Sequence, residues 1–249
     1  MTDSPLLLFV AIAATFFAAG IVKGVTGMGL PTVAMGMLGA LMSPLAAASL
    51  LIVPSFVTNI WQLFAGPNFG AHLRRLWPMM AAIIAGTVAG ASVLTSGATG
   101  FTTMALGAAL VVYAAYSLSA PALCVPATLE PWLSPVIGVL TGVVTGGTGV
   151  FVIPAVPYLQ ALGLNKDDLV QALGLSFTVS TIALAAGLAW HGSFRVDNFS
   201  MSAVAIVPAL TGMWAGQAIR SKVSPATFRR WFLISLLLLG AEMIARPLL

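Results

Sequence analysis

Long stretches of this chain carry no charged side chain. Between Arg75 and Glu130 there is no Asp, Glu, Lys or Arg, and overall 6% of the residues are charged while 59% are hydrophobic. A soluble domain has about 25% charged residues, so this chain cannot cover its surface with solvated side chains. Each gap between charges can hold one or more helices of about 20 residues, the length that crosses a bilayer. The sequence therefore predicts an all-α polytopic membrane protein.

The remaining charges and motifs exclude several functions. The net charge is +4, but the basic residues are scattered at the ends of apolar segments and form no patch that fits nucleic acid. The H-E-x-x-H, G-x-S-x-G and Walker motifs are absent, and no Cys/His cluster suggests a metal site. We therefore predict no enzyme, no catalytic residue, no metal and no cofactor. The single cysteine, Cys124, excludes an internal disulfide.

Ten apolar segments follow one another along the chain. No Lys or Arg precedes the first, so we expect it to be a retained membrane helix rather than a cleaved signal peptide. The segments cover 6–22, 30–42, 45–65, 76–94, 101–119, 132–144, 150–162, 168–190, 200–220 and 227–246. The second, sixth and seventh segments have about 13 residues, or about 20 Å of helix, which is shorter than a hydrocarbon core of about 30 Å.

Two glycine-rich stretches adjoin these short segments. Residues 20–31 contain four glycines, Lys23 and Pro31, and residues 138–149 contain five glycines and are followed by Pro154. Glycine and proline weaken helices, and irregular backbone persists in a membrane only where protein buries it or where it lines a wet cavity. Such interrupted segments in corresponding places of two halves are typical of the substrate site of a transporter.

The chain divides into two similar halves, 1–119 and 132–249, joined by a linker at 120–131. We predict that each half is a glycine-broken pair of short helices followed by three transmembrane helices. Gly86-x-x-x-Gly90 in the first half matches Gly212-x-x-x-Gly216 in the second, and we interpret both as close-packing faces. Because each half then crosses the membrane an odd number of times, the two repeats are predicted to be inverted.

The positive residues predict an orientation. Placing Arg74, Arg75, Arg220 and Lys222 in the cytoplasm follows the positive-inside rule and puts both termini on the non-cytoplasmic side. An alternative fuses each short pair into one broken span, which gives eight spans and parallel repeats. That alternative would put the first two of these residues opposite the other two, which the rule disfavours.

Lys23 is the only charged residue between Asp3 and Arg74. A lysine inside a span costs about 2.5–3.5 kcal/mol on insertion scales and is a candidate functional residue. It would supply the counter-charge for an anion, unless it merely reaches to the membrane surface. Half-helix N-termini and hydroxyl groups could bind the same anion, unless the hydroxyls bond their own helix carbonyls.

Polar residues in the third and eighth segments either face the cavity that would hold the anion or join helices to each other. The third segment carries Ser55, Thr58, Asn59 and Gln62, and the eighth carries Gln171, Ser176, Thr178, Ser180 and Thr181. The predicted substrate-binding residues are Lys23, Gly24, Thr26, Gly27, Gly29, Asn59, Thr141, Gly142, Thr145, Gly146, Gly147, Thr148, Gly149, Ser176 and Ser180.

The chain resembles the sulfite exporter TauE/SafE family, also called the 4-toluene sulfonate uptake permease family. The resemblance covers both halves and lies in the order of six features: the stretches 20–31 and 138–154, the run Gly-Ser-Phe-Arg-Val-Asp at 192–197, Gly212-x-x-x-Gly216, Ser224-Pro225 and Phe228-Arg229-Arg230. It implies transport of sulfur-containing anions such as sulfite, sulfonates or sulfoacetate.

We therefore expect a secondary transporter in the bacterial inner membrane, in which one half rocks against the other around a site at mid-depth. An anion channel for small oxyanions is the alternative. The expected partners are the anionic substrate and the lipid bilayer, with no nucleic acid. The coupling ion, proton or sodium, and the formation of a homodimer stay open.

Overall fold

The computed structural model describes residues 5–119, 123–193, 201–220 and 224–248. Within these ranges the regular elements are helices, which confirms the all-α prediction. They are α1 (Pro5–Thr26), α2 (Leu30–Leu41), α3 (Pro44–Leu63), α4 (Phe69–Thr95), α5 (Thr99–Ser119), α6 (Glu130–Thr148), α7 (Ala155–Ala161), α8 (Lys166–Trp190), α9 (Ile206–Arg220), α10 (Pro225–Ala245) and a 3-10 turn at Arg246–Leu248.

Six of the described helices are long and apolar enough to cross a membrane. They are Leu6–Thr26, Pro44–Leu63, Phe69–Thr95, Thr99–Ser119, Lys166–Trp190 and Met201–Arg220, the last of which includes a short helical segment at 201–204 before α9. The chain is therefore a multi-pass membrane protein. The expectations for 120–122, 195, 197 and 222 fall outside the described residues.

The helices before the two breaks are longer than predicted. α1 continues through Gly20 and Gly24 to Thr26, and α6 covers 130–148 rather than 132–144. The expectation that 132–144 is a half-helix is therefore wrong, and the short helices are α2, with 12 residues, and α7, with 7. Gly20, Gly24, Gly138, Gly142 and Gly146 stay helical because each lies against the backbone of another helix, and close packing offsets their low helix propensity.

Two pairs of helices pack backbone to backbone. In α1 against α9, a Cβ on Gly24 would lie 2.9 Å from the Cα of Gly216. In α6 against α4, a Cβ on Gly146 would lie 2.7 Å from the backbone nitrogen of Ala91. Gly86, Gly90, Gly212 and Gly216 all lie in these two interfaces, which confirms that the two G-x-x-x-G motifs are close-packing faces.

The set of helix pairs stays the same when the two halves of the chain are interchanged. If α1 corresponds to α6 and α4 to α9, the α1–α9 pair maps onto the α6–α4 pair. The α3–α8 and α5–α10 pairs map onto themselves. In α5–α10, a Cβ on Gly107 would lie 2.7 Å from the carbonyl oxygen of Gly240, and a Cβ on Gly240 would lie 2.7 Å from that of Gly107. This reciprocity is typical of a two-fold relation, and the direction of its axis in the membrane stays a prediction.

The centre of the molecule is formed by α3 and α8, which are the most buried of the six candidate spans. Both nevertheless carry polar side chains that are buried, among them Ser55, Asn59, Ser176 and Ser180. A buried polar group is costly unless it finds a hydrogen-bond partner. The α3–α8 interface is therefore the place where the fold concentrates polar chemistry.

Candidate functional site

The two breaks share one local geometry. α1 is followed by Gly27 at φ +78°, and α6 is followed by Gly149 at φ +73°. In each case the glycine N–H donates to the carbonyl four residues earlier, at 2.8 Å to Lys23 and 2.7 Å to Thr145. A left-handed glycine that closes this bond is a common helix end. Another residue type would be strained at either position.

The threonines at these breaks bond to nearby backbone. The hydroxyl of Thr26 donates to the carbonyl four residues earlier at 2.8 Å, and that of Thr148 does the same at 2.6 Å. Each hydroxyl also accepts from the N–H two residues later, at 3.3 Å and 3.2 Å. Thr145 donates to the carbonyl of Val150 at 3.3 Å. In this conformation these hydroxyls stabilise the helix ends.

Lys23 lies inside the protein and is 3% exposed. Its ammonium group donates to the hydroxyl oxygen of Thr58 at 3.2 Å and to the side-chain oxygen of Asn59. The Asn59 amide nitrogen in turn donates to the hydroxyl oxygen of Thr181 at 3.3 Å. The structure therefore brings two predicted site residues, Lys23 and Asn59, together in a chain of hydrogen bonds from α1 through α3 to α8.

The Lys23 ammonium has no counter-ion among the residues that the structure describes. The ion pairs found there are His72–Asp168, Arg75–Glu130 and Arg246–Glu242. An ammonium group has three N–H donors, and neutral oxygens accept from two of them. A buried cation that lacks a carboxylate strongly favours the approach of an anion, because little else offsets its lost hydration.

Several buried polar atoms have no hydrogen-bond partner within the described residues. They are the side-chain oxygens of Thr32, Ser55, Thr87, Thr141, Ser176 and Ser180 and Oε1 of Gln62. Hydroxyls in helices usually bond to the carbonyl four residues earlier, as those of Thr58, Thr178 and Thr181 do. Three predicted site residues, Thr141, Ser176 and Ser180, are thus among the few unpaired hydroxyls.

All but one of the predicted glycines fall into two groups. Gly24, Gly142 and Gly146 lie inside helices, where a Cβ on any of them would come within 3 Å of another helix's backbone. Gly27, Gly29 and Gly149 have positive φ in the breaks, and Gly29 is the residue before α2. Gly147 has room, since its nearest neighbour would be the Val93 side chain at 3.9 Å.

Each break packs against the opposite half. Gln62 donates at 2.9 Å to the carbonyls of Gly27 and Val170, which ties the first break to α8. A Cβ on Gly149 would lie 2.8 Å from the sulfur of Met35 in α2, so the second break lies against the first half. No described hydrogen bond joins Lys23 to Thr145 or Thr148, and α1 and α6 each pack along a different helix.

A polar network closes one end of the α3–α8 interface, and Gln171 is the one member of it that the sequence indicated as a possible link between helices. Asp168 accepts from the Asn68 amide at 2.8 Å and contacts His72 Nε2 at 3.1 Å. Gln171 donates to the carbonyls of Leu63 and Gly66 at 2.8 and 2.6 Å and accepts from the backbone N–H of Asn68 at 2.9 Å. In the sequence, the signal for this network is the presence of glutamines inside apolar segments, because a buried amide needs several hydrogen-bond partners.

Comparison with known proteins identifies the chain. A family model described as "Sulfite exporter TauE/SafE" matches residues 12–243. No curated protein and no solved structure matches the chain significantly. The family match covers both breaks, Lys23 and the α3–α8 interface, and agrees with the multi-pass helical fold. The chain therefore belongs to the sulfite exporter TauE/SafE family, a family of membrane exporters of sulfite and other sulfur-containing anions.

Proposed function

We propose that the protein is a secondary transporter that moves one small sulfur oxyanion at a time by alternating access, with Lys23 as the counter-charge. The observation that carries this proposal is the Lys23 ammonium, which is buried at the centre of the fold and bonded only to neutral oxygens. An intramembrane cation in this setting is a functional residue by default. Sulfite and the sulfonate group of a small sulfonate or sulfoacetate both present oxygens that carry the negative charge.

The unpaired hydroxyls supply further donors. Ser55 lies one helical turn from Asn59 on α3, and Ser176 and Ser180 lie one turn apart on α8, the helix that packs against α3. Each hydroxyl can donate one hydrogen bond, and the third ammonium N–H of Lys23 can donate another. A pyramidal or tetrahedral sulfur group with three oxygens can accept all of these bonds, so we assign these residues to recognition of the substrate.

The start of α2 adds a partial positive charge. Leu30 and Thr32 in its first turn are fully buried, and the Thr32 hydroxyl has no partner. The N–H groups of a first helical turn have no partner within the helix, and the dipole makes that end favourable for an anion. This feature supports a site bounded by Lys23 and the first break rather than by Lys23 alone.

The site is closed in this conformation. Lys23, Thr58, Asn59, Ser176 and Ser180 are each at most 3% exposed. The Gln62, Gln171 and Asp168 contacts hold α8 to the first break and to the turn before α4. We interpret this conformation as the occluded state of the transport cycle, in which neither side of the membrane reaches the site.

The close helix pairs suggest which parts move together. The α1–α9 and α4–α6 interfaces leave no room for a Cβ, so sliding within either pair would create backbone clashes. Each pair contains one helix from each half of the sequence. We therefore assign the moving bodies to these mixed pairs, rather than to residues 1–119 and 132–249, and the α3–α8 interface to the region that opens between them.

The test is binding of sulfite to the purified protein by calorimetry, comparing Lys23→Met with wild type. We expect Lys23→Met to weaken binding by about 2 kcal/mol or more, about 30-fold, because a partly desolvated charge loses its partner. Lys23→Arg should retain part of the affinity, because the charge survives. Lys166→Met is the matched control, since it removes an exposed lysine at the start of α8. Equal affinities for wild type and Lys23→Met would refute the proposal.

A further inference from the structure

A basic groove lies between the end of α5 and the start of α10. It has a volume of about 470 Å³ and is lined by Ser117, Leu118, Ala226, Arg229, Arg230, Leu233 and Ile234. Arg229 is half-buried and Arg230 is exposed. The groove shares no residue with the Lys23 site, so it needs a separate explanation.

The two arginines of this groove have no acidic partner among the described residues. Arg75 and Arg246 each pair with a glutamate, at 2.6 Å in both cases, but neither Arg229 nor Arg230 forms such a pair. Two adjacent guanidinium groups without a carboxylate create a strongly positive spot. Guanidinium groups match the oxygens of a phosphate group in geometry as well as in charge.

The other half of the groove is apolar. Leu233 and Ile234 follow the arginines by one helical turn, about 6 Å along α10. No charged residue occurs between Arg230 and Glu242, so the part of α10 that follows the arginines is apolar enough to lie in the hydrocarbon region. Trp231 is 68% exposed beside them, and tryptophan is enriched at the level of the lipid headgroups. The groove is therefore basic at headgroup depth and apolar beneath it.

We infer that this groove binds an anionic phospholipid, with the phosphate between Arg229, Arg230 and the Ser117 hydroxyl and an acyl chain along Leu233, Ile234 and Leu118. Basic pockets between transmembrane helices bind anionic headgroups in this way. A free oxyanion would use the arginines but would leave the apolar half of the groove empty. Contact with that apolar half would also cost the ion part of its hydration. The combination of both halves therefore favours a lipid.

The experiment is native mass spectrometry of the purified full-length protein with phosphatidylglycerol and with phosphatidylcholine of identical chains. The test variant is Arg229→Gln/Arg230→Gln. The control, Arg74→Gln/Arg220→Gln, removes two arginines that line no described groove. We expect about a 30-fold loss of phosphatidylglycerol affinity in the test variant, about fivefold per arginine, and little change in the control. Leu118→Ser should also weaken phosphatidylglycerol binding, because that side chain is 39% exposed in the groove.

Three results would overturn the inference. Equal affinity of wild type and the test variant for phosphatidylglycerol would show that the arginines do not hold the lipid. Equal loss in the control would show a general effect of net charge. Displacement of the lipid by millimolar inorganic phosphate or sulfite, with no effect of Leu118→Ser, would show that the groove binds a free anion instead. Sulfite binding at Lys23 should be unchanged in the test variant.

Discussion

Gly146 and Gly147 are neighbours in α6 but have opposite surroundings, so alanine at each position tests the packing separately from the site. A Cβ on Gly146 would meet the backbone of α4, at 2.7 Å from the nitrogen of Ala91 and 2.8 Å from the carbonyl carbon of Gly90. A Cβ on Gly147 would meet only the Val93 side chain at 3.9 Å, an ordinary contact. Each of the two variants adds the same single methyl group to the wild-type chain.

The magnitude follows from these distances. Because the atoms opposite Gly146 belong to a helix backbone, they cannot rotate away, and the nearest of them, the carbonyl oxygen of Thr87, would force α4 and α6 to separate by about 1 Å. Overpacking of this kind costs about 3 kcal/mol, which lowers the melting temperature of a chain of this size by about 6–12 °C. Gly147→Ala should leave the melting temperature equal or slightly higher, since alanine favours helix by about 0.5–1 kcal/mol.

The assay is thermal unfolding of both variants in one detergent, followed by tryptophan fluorescence, for which the chain has six tryptophans. Sulfite affinity is then measured on each variant that remains folded. If Gly147 lines the anion site, as the sequence analysis predicts, Gly147→Ala should lose affinity while keeping its stability. The packing argument would be refuted if Gly146→Ala melted like wild type, or if both variants melted equally early.

Three further predictions concern the hydroxyls, the polar network and the topology. Ser176→Ala/Ser180→Ala should weaken sulfite binding about 10-fold or more in calorimetry, because hydrogen bonds to a charged group contribute about 1.5–3 kcal/mol, and unchanged affinity would remove these serines from the site. Asp168→Asn should lower the melting temperature more than Glu242→Gln, which breaks only an exposed pair within one helix; the reverse order would argue against the network. A cysteine at Ser96, between α4 and α5, should react with an impermeant reagent from outside intact cells, and reaction only after lysis would reverse the predicted orientation.

The sequence predicted the helices well because their signal is local. Each of the ten apolar segments corresponds to a described helix, and the absence of charge between Arg75 and Glu130 was enough to indicate a membrane protein. Lys23 was found for the same reason, since one charge in a long apolar stretch is visible without a structure. Its hydrogen bond to Asn59 could have been predicted, because the third segment carries amide and hydroxyl groups at helical spacing.

The remaining features depend on contacts between distant parts of the chain. Gly24 appeared to break α1 because the partner that makes glycine favourable there, Gly216 in α9, is remote in sequence. The hydroxyl of Thr178 bonds to its own helix and that of Ser176 does not, although both lie on α8. That difference comes from the packing around each side chain. Neither the helix ends nor the free hydroxyls could therefore be predicted from residue types alone.

The pairing of α1 with α9 has a consequence for the order of assembly during synthesis. α1 ends at Thr26 and α9 begins at Ile206, so at about 5–20 residues per second the ribosome needs roughly 10–40 seconds to make the partner of the first helix. Throughout that time the glycine face of α1 has no α9 to pack against. α6 follows α4 after a single intervening helix, so the α4–α6 pair is available first and the first helix inserted is among the last to find its neighbour.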